Sequence, residues 1–317
     1  MRSRRAKPGF ACRLQLPPRR RERRVRIPLV ALILVTAVWG VTFVQVKDAL
    51  ELYPLFGFMA ARFAIATVVL AVPAAGRVRR LGKGGLRHGV ILGVLLAAPY
   101  ALQTAGLQRT SVSSTGFITG LYVVLTPLLA LALFRSRIGA AVWAGAIVSL
   151  AGLALLSGVD VGHLSGDLLV LASTVLMALQ IVLVERWAAQ YDALALTLVE
   201  MATSFVGFAI VAVPLGQVEI PHGWTVWGAL LVTGVFASAF AFVIQIWAQR
   251  RMSAARIALV FALESPFAGL FGYLLAGDRL GALGWTGCAL ILAGIALAEP
   301  AAADIAGRLV RRPRAAS

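Results

Sequence analysis

Long apolar stretches that contain few charged positions recur along the whole chain. We place ten of them, at approximately 27–46, 54–75, 89–107, 112–134, 138–158, 167–187, 193–214, 225–247, 254–276 and 282–299. An α-helix of about 20 apolar residues is long enough to cross a hydrocarbon core of about 30 Å. Backbone groups in lipid must be hydrogen-bonded within the protein, and the stretches do not alternate as barrel strands do. The pattern therefore predicts an all-α integral membrane protein with ten transmembrane helices.

The composition and the placement of charge agree with this interpretation. The chain of 317 residues is 60% hydrophobic and 14% charged, against about 45–50% and about 25% in soluble domains. If the N-terminus is cytoplasmic, the segments predicted to lie inside hold 26 of the 30 lysine and arginine residues. This asymmetry is the positive-inside bias of membrane proteins. We therefore expect a multi-pass protein of the cell (cytoplasmic) membrane with both termini in the cytoplasm.

The first 26 residues carry eleven lysine and arginine residues and precede the first apolar stretch. We interpret this segment as a disordered cytoplasmic tail that contacts anionic lipid, and residues 300–317 as a second, shorter cytoplasmic tail. No aromatic residues are interleaved with the arginines, so a nucleic-acid partner is not expected. Cleavage as a signal peptide is disfavoured, because the first apolar stretch is too long and lacks a clear cleavage site. The two cysteines, Cys12 and Cys288, lack metal-site spacing, and neither a metal nor another cofactor is expected.

The chain contains a long internal repeat. Residues 143–155 read WAGAIVSLAGLAL, residues 285–297 read WTGCALILAGIAL, and seven of the thirteen positions are identical at a spacing of 142 residues. The spacing divides the chain into a first repeat at 27–158, a linker at 159–166 and a second repeat at 167–299. Five spans per repeat is an odd number, so the second repeat would enter the membrane from the opposite side. Inverted repeats of this kind are typical of transporters whose site lies between the halves.

Three ionisable residues fall within predicted spans: Arg62, Glu200 and Glu264. A charged group inside a membrane is costly and should face the protein interior. One hypothesis is an internal structural pair between Arg62 and either glutamate. The other is a functional role, in which these groups recognise charge on a substrate or carry a proton. The sequence leaves both hypotheses open.

Polar, aromatic and proline residues within the spans complete the set of candidates. Tyr100 and Gln103 share a helix face, and Gln245 is the repeat counterpart of Gln103. These side chains would either bind substrate or hydrogen-bond neighbouring helices. Trp39 lies mid-span, away from the interfacial belt. Proline removes a backbone donor, so we expect helix breaks at the two prolines in the fourth and ninth spans, Pro127 and Pro266.

Several segments resemble the EamA family of the drug/metabolite transporter superfamily. They are WGVTF at 39–43, RFAIA at 62–66, the long segment at 101–133 and ALESPFAGLFGYLLAGDRL at 262–280. The resemblance covers roughly residues 30–298. It implies a ten-helix fold of two EamA repeats with both termini inside, and transport of small metabolites, often amino acids or related compounds, often as export. Asp278 stands where the family usually has glutamate.

These observations together predict a secondary transporter of small polar metabolites, amino-acid-like or drug-like, that works in efflux by alternating access. The chain has no nucleotide-binding loop motif and no catalytic triad or paired carboxylates at one depth, so we do not expect an enzyme. A membrane-embedded enzyme or lipid-head-group transferase and a non-transporting scaffold are the alternatives. Small-residue faces such as Gly116–Gly120 and Gly145–Ser149 would pack helices within the chain or join two copies in a homodimer.

Overall fold

The computed structural model describes residues 18–107, 109–110, 112–157, 164–271, 273–274 and 281–298. The outer parts of both tails, most of the predicted linker and the position of Asp278 lie outside these residues. Within them, every regular element is helical. In chain order the helices are α1 (Pro18–Leu52), α2 (Leu55–Val78), α3 (Gly82–Leu107), α4 (Val112–Gly120 and Tyr122–Phe134), α5 (Ala140–Ser157), α6 (Leu164–Ala188), α7 (Ala193–Ala212), α8 (Gly223–Gln249), α9 (Ala254–Phe261 and Glu264–Phe271) and α10 (Ala282–Ala298).

Seven of these helices, namely α2, α3, α4, α6, α7, α8 and α9, are long and apolar enough to cross a membrane. The apolar parts of the other three are shorter, at Ile27–Thr42, Ala140–Leu156 and Ala282–Ala298. The described residues therefore form an all-helical, multi-pass membrane protein. Ten membrane spans remain a prediction.

Two predicted boundaries differ from the structure. α1 begins at Pro18, so part of the tail expected to be disordered is helical. Proline is tolerated in the first turn of a helix, and the arginine and glutamate residues that follow favour helix. α6 begins at Leu164, inside the predicted linker, with Asp167 in its first turn. A carboxylate there is stabilised by the positive end of the helix dipole.

α5 and α10 are the most similar helices of the two repeats, and they pack closely on each other. A Cβ atom added at Gly152 would lie 2.6 Å from the Gly287 carbonyl oxygen, and one added at Gly145 would meet the Gly294 carbonyl. At the repeat spacing, Gly145 corresponds to Gly287 and Gly152 to Gly294. The contact between Gly152 and Gly287 is therefore equivalent to the contact between Gly294 and Gly145. The lower-numbered glycine of α5 meets the higher-numbered one of α10, so the two helices run antiparallel. The Gly145–Ser149 face is thus covered within the chain.

Other packings between the repeats also occur twice: when a helix of one repeat packs on a helix of the other, their two counterparts pack on each other as well. α3 packs on α6 as α8 packs on α1, α4 packs on α6 as α9 packs on α1, and α3 packs on α7 as α8 packs on α2. The equivalent helices α2 and α7 pack on each other in antiparallel fashion. Arg77 bonds Asp192 at 3.1 Å near one end of the pair, and the Phe56 N–H donates to Gln217 Oε1 at 3.1 Å near the other.

The two ends of the helix bundle differ in charge. The basic end holds the connections α2–α3, α4–α5, α6–α7 and α8–α9, and its described basic residues are Arg77, Arg79, Arg80, Lys83, Arg87, Arg135, Arg137, Arg186, Arg250, Arg251 and Arg256. The opposite end holds the connections α1–α2, α3–α4 and α7–α8. There, the Tyr53 phenol donates to the Glu219 carbonyl, and Thr110 donates to Asp167 Oδ1 at 2.5 Å. Burial raises the pKa of Tyr53, so its phenol stays protonated as a donor at neutral pH.

Candidate functional site

Both interrupted helices break at equivalent positions. α4 is interrupted by a tightened turn at Leu121 (φ −59°, ψ −14°), and α9 is interrupted by one at Ala262 and Leu263 (φ −57°, ψ −18° at Ala262). The backbone stays right-handed at Leu121 and Ala262, and each helix continues as one span, Phe117–Phe134 and Ala254–Phe271. Leu263 lies 142 residues after Leu121, which is the repeat spacing. The first residues after the breaks, Tyr122 and Glu264, are therefore also counterparts. Since α4 and α9 pack on each other, the two breaks belong to one region between the repeats.

The predicted prolines account for one break and not for the other. Pro266 follows its break by about one turn, and its missing N–H cannot bond the Ala262 carbonyl, which explains the interruption of α9. Pro127 instead lies inside the continuous segment Tyr122–Phe134. The interruption of α4 was thus predicted at the wrong residue, because the helix accommodates this proline and breaks beside Gly120, a residue with low helix propensity.

Arg62 lies on α2 with 5% of its surface exposed. Its Nε donates to Ser238 Oγ on α8 at 2.7 Å. Its guanidinium carbon lies 5.6 Å from the ring centroid of Phe63 and 5.6 Å from that of Tyr100, within the range of cation–π attraction. A hydroxyl and two aromatic rings therefore hold the cation inside the bundle.

Glu264 is half-buried at the start of the second segment of α9. Among the described residues, Arg62 forms no direct ion pair with Glu264 or with Glu200; it acts on the Glu264 carboxylate through space. The Tyr100 hydroxyl lies within electrostatic range of both charges, and Tyr122 within range of Glu264. The region thus combines one positive and one negative group that are not locked together.

Trp39 joins this region from α1. Its indole N–H donates to the Ala237 carbonyl on α8 at 2.8 Å, and its ring meets Phe261 edge-on with 4.9 Å between centroids. Ala237 and Ser238 both lie in Val232–Phe240, where α8 is wound as a π-helix. Such wider turns occur frequently at functional sites. The π-helical stretch thus supplies the acceptors for Trp39 and for Arg62.

Glu200 belongs to a separate hydrogen-bonded network. Its Oε1 accepts from Gln180 Nε2 at 2.7 Å, and Gln180 Oε1 accepts from Gln245 Nε2 at 3.2 Å. Glu200 is fully buried, and its second carboxylate oxygen has no hydrogen-bond partner within the described part of the chain. The network connects α6, α7 and α8.

The structure therefore divides the predicted site residues into groups. Arg62, Tyr100, Trp39 and Glu264 surround the region between the repeats, and we call these four residues the central site. Glu200 and Gln245 lie in the separate network. Gln103 donates to Thr119 Oγ1 at 2.8 Å, so the two equivalent glutamines make different contacts.

Sequence reasoning missed two features of this region. Tyr122 is buried beside the central site, and adding the repeat spacing to its number leads to Glu264, so the repeat contained the signal. Ser238 as the acceptor for Arg62 depends on the π-helical winding of α8, which no sequence pattern that we recognise indicates.

An apolar helical bundle that contains two internal repeats, with equivalent broken helices beside buried charges, is the architecture of a membrane transporter. The chain belongs to the EamA-like transporter family, whose model matches residues 26–158 and 164–298. The family resemblance that the sequence predicted is thereby confirmed, and with it the two repeats and the transporter class.

Individual relatives agree with the family assignment. The chain is 28% identical over 266 residues to an uncharacterized transporter from Archaeoglobus fulgidus. The aligned region covers 84% of this chain and 83% of that protein. It is 29% identical over 126 residues to solute carrier family 35 member F6 from Mus musculus, covering 36% of this chain and 34% of that protein. A crystal structure of another protein has a TM-score of 0.74 and 19% identity, over 90% of this chain and 99% of that one. At that identity the likeness shows the fold alone.

Proposed function

We propose that this membrane transporter exports small polar metabolites, amino-acid-like or drug-like, by alternating access. The observation that carries the proposal is the pair of equivalent helix breaks in α4 and α9. Interrupted helices at corresponding places in two halves mark the substrate sites of secondary transporters. Here the breaks place Tyr122 and Glu264 beside Arg62, Tyr100 and Trp39.

The antiparallel packing of equivalent helices supports the mechanism. α5 with α10 and α2 with α7 are related by the repeat and run in opposite directions. Copies related in this way are inverted, with a pseudo-two-fold axis in the membrane plane. If each copy adopts the conformation of the other, an opening at one end of the bundle becomes an opening at the other end. The positive-inside bias would place the basic end in the cytoplasm, where the tail would contact anionic lipid.

The charges of the central site suggest what the substrate carries. Arg62 offers a fixed cation for an anionic group, and Glu264 offers a carboxylate for a cationic group or a proton. Trp39 and Tyr100 supply aromatic surface. A small molecule with both an acidic and a basic group would match these side chains, whereas Glu200, enclosed by its network, would hold α6, α7 and α8 together.

The experiment is flux in proteoliposomes with Glu264→Gln. A panel of labelled amino acids and nucleobases first identifies a transported compound with the unaltered protein. Because the substitution removes the negative charge at similar volume, we expect flux of that compound to be lost or to lose its pH dependence. Glu219→Gln is the control, since only the backbone carbonyl of Glu219 makes a described hydrogen bond. Unchanged flux and pH dependence in Glu264→Gln would contradict the proposed role.

A further inference from the structure

The exchanged packing of the two repeats is incomplete. Among the described residues, α5 packs on α9 more closely than α10 on α4, α3 packs on α4 more closely than α8 on α9, and three further helix pairs also differ. α6 packs on α8 and on α9, and α7 packs on α8. The repeat relates these packings to α1 on α3, α1 on α4 and α2 on α3. Among the described residues, these three equivalent helix pairs make few contacts or none. The two halves are therefore in different conformations.

Two hydrogen bonds that join α6 to α8 and to α9 lie at the basic end. Glu185 Oε2, near the end of α6, accepts from the Ala254 N–H at the start of α9 at 2.8 Å. Gln249 Nε2, at the end of α8, donates to the Ile181 carbonyl on α6 at 2.7 Å. At the opposite end, no hydrogen bond joins α1 to α3 or α4 among the described residues, and the side chains at the counterpart positions 43, 107 and 112 lie outside them. The two hydrogen bonds therefore close the basic end of the bundle.

We propose that this structure is the state closed at the basic end, and that Glu185 is the latch that keeps that end closed. This inference rests on the proposed alternating access. The free N–H groups and the positive dipole at a helix N-terminus both favour a carboxylate. The helix that Glu185 contacts is α9, which also carries Glu264. Its first segment, Ala254–Phe261, connects the contact with Glu185 to the central site.

The position of Glu185 is not acidic in the first repeat. Its counterpart at the repeat spacing is Phe43, and the nearest carboxylates on α1 are those of Asp48 and Glu51, more than one turn further along the helix. The carboxylate that contacts the start of α9 therefore has no equivalent at the matching position of α1.

Cysteine labelling tests the latch directly. The full chain with Cys12→Ser and Cys288→Ala carries a reporter, Ala258→Cys, at a fully buried position one turn beyond Ala254. A membrane-impermeant maleimide is applied from the side of the basic end. Loss of a hydrogen bond to a charged acceptor predicts that Glu185→Ala raises the labelling rate about tenfold or more.

Asp167→Ala is the matched control. Its carboxylate is on the same helix and accepts a hydrogen bond from Thr110, but it lies at the opposite end. We expect its labelling rate to equal that of the reporter background. No increase in Glu185→Ala, or an equal increase in Asp167→Ala, would overturn the proposal, provided that both variants elute as single species from gel filtration.

A cross-link supplies a second test should Glu185→Ala fail to fold. Glu185→Cys with Ala254→Cys is joined by a short bifunctional thiol reagent, again in the background without native cysteines. The joined protein should form in high yield and retain access to Gln103→Cys from the opposite side. Failure to join, or loss of that access, would show that Glu185 does not hold the basic end closed.

These readouts need no substrate. If Glu185→Ala opens the basic end but no compound is transported, the latch stands and the proposed function fails. If flux depends on Glu264 but the labelling rate is the same with and without Glu185, the proposed function is supported and the proposed role of Glu185 is wrong.

Discussion

Replacing Gly152 with alanine should force α5 and α10 apart. The added Cβ would lie 2.6 Å from the Gly287 carbonyl oxygen, 2.9 Å from the Ile291 amide nitrogen and 2.9 Å from Leu290 Cβ. Ordinary contact begins near 3.4 Å, so the closest approach must widen by 3.4 − 2.6 Å, which is about 0.8 Å. Two of the three neighbouring atoms are backbone, and a change of rotamer cannot relieve the clash.

The expected cost follows from this displacement. A gap of about 0.5–1 Å removes about a quarter to a half of each contact energy along the interface, and overpacking of a close-packed interior costs about 1–3 kcal/mol. Because backbone atoms form the obstacle, we expect the upper part of that range. The melting temperature of the purified protein in detergent, followed by the loss of monodisperse protein after heating, should fall by several degrees.

A glycine without near neighbours provides the control. An added Cβ at Gly76, which is exposed on α2, would meet nothing within 4 Å. Gly76→Ala should leave stability unchanged or raise it by up to about 1 kcal/mol, since alanine is the better helix former. If Gly152→Ala melts like the parent protein, or if the two variants shift melting equally, the close approach of α5 and α10 is not what stabilises this interface.

Two further substitutions test the interior. Glu200→Gln should keep the hydrogen bond from Gln180 and melt close to the parent protein. Glu200→Ala should lower stability by about 2–4 kcal/mol, because it leaves a cavity and an unpaired amide; equal melting of the two variants would refute the structural role. Trp39→Phe removes the indole donor to the Ala237 carbonyl and should cost about 1 kcal/mol. Trp224→Phe, at an 89% exposed position, should not change the melting temperature, and an equal shift there would disprove the assignment.

Much of the architecture could be predicted because the length of the apolar stretches and the identical residues of the two repeats can be read directly from the sequence. The glycines of α5 and α10 are conspicuous, since close helix approach needs small residues and both copies retain them. The charge bias likewise groups the connections that the structure places at one end. The membrane-protein class and the two repeats therefore follow from the order of the residues alone.

The central site was only partly predictable because its contacts join helices that are distant in sequence. Arg62 had to face inward on energetic grounds, but nothing in the sequence indicated a serine on a π-helical stretch as its partner. An ion pair with Glu264 or Glu200 was one of two hypotheses that charge alone left open. Among the described residues, the rings of Phe63 and Tyr100 and the hydroxyl of Ser238 contact the guanidinium instead. Pro127 shows the same limit, since surrounding packing determines where a strained helix breaks.

The contact between Arg62 and Ser238 also affects the energy balance of the proposed cycle. At the repeat spacing, the counterpart of Arg62 is Ser204, whose hydroxyl donates to the Gly93 carbonyl. Two identical halves would give two conformations of equal energy, but this charged hydrogen bond between α2 and α8 cannot form at the counterpart positions, which are Ser204 and Leu96. Such bonds contribute about 1.5–3 kcal/mol, which corresponds to a population ratio of about ten to more than one hundred. If the other facing state breaks this bond, the two states would be unequally occupied without substrate, and a cargo that competes for Arg62 would reduce the difference between them.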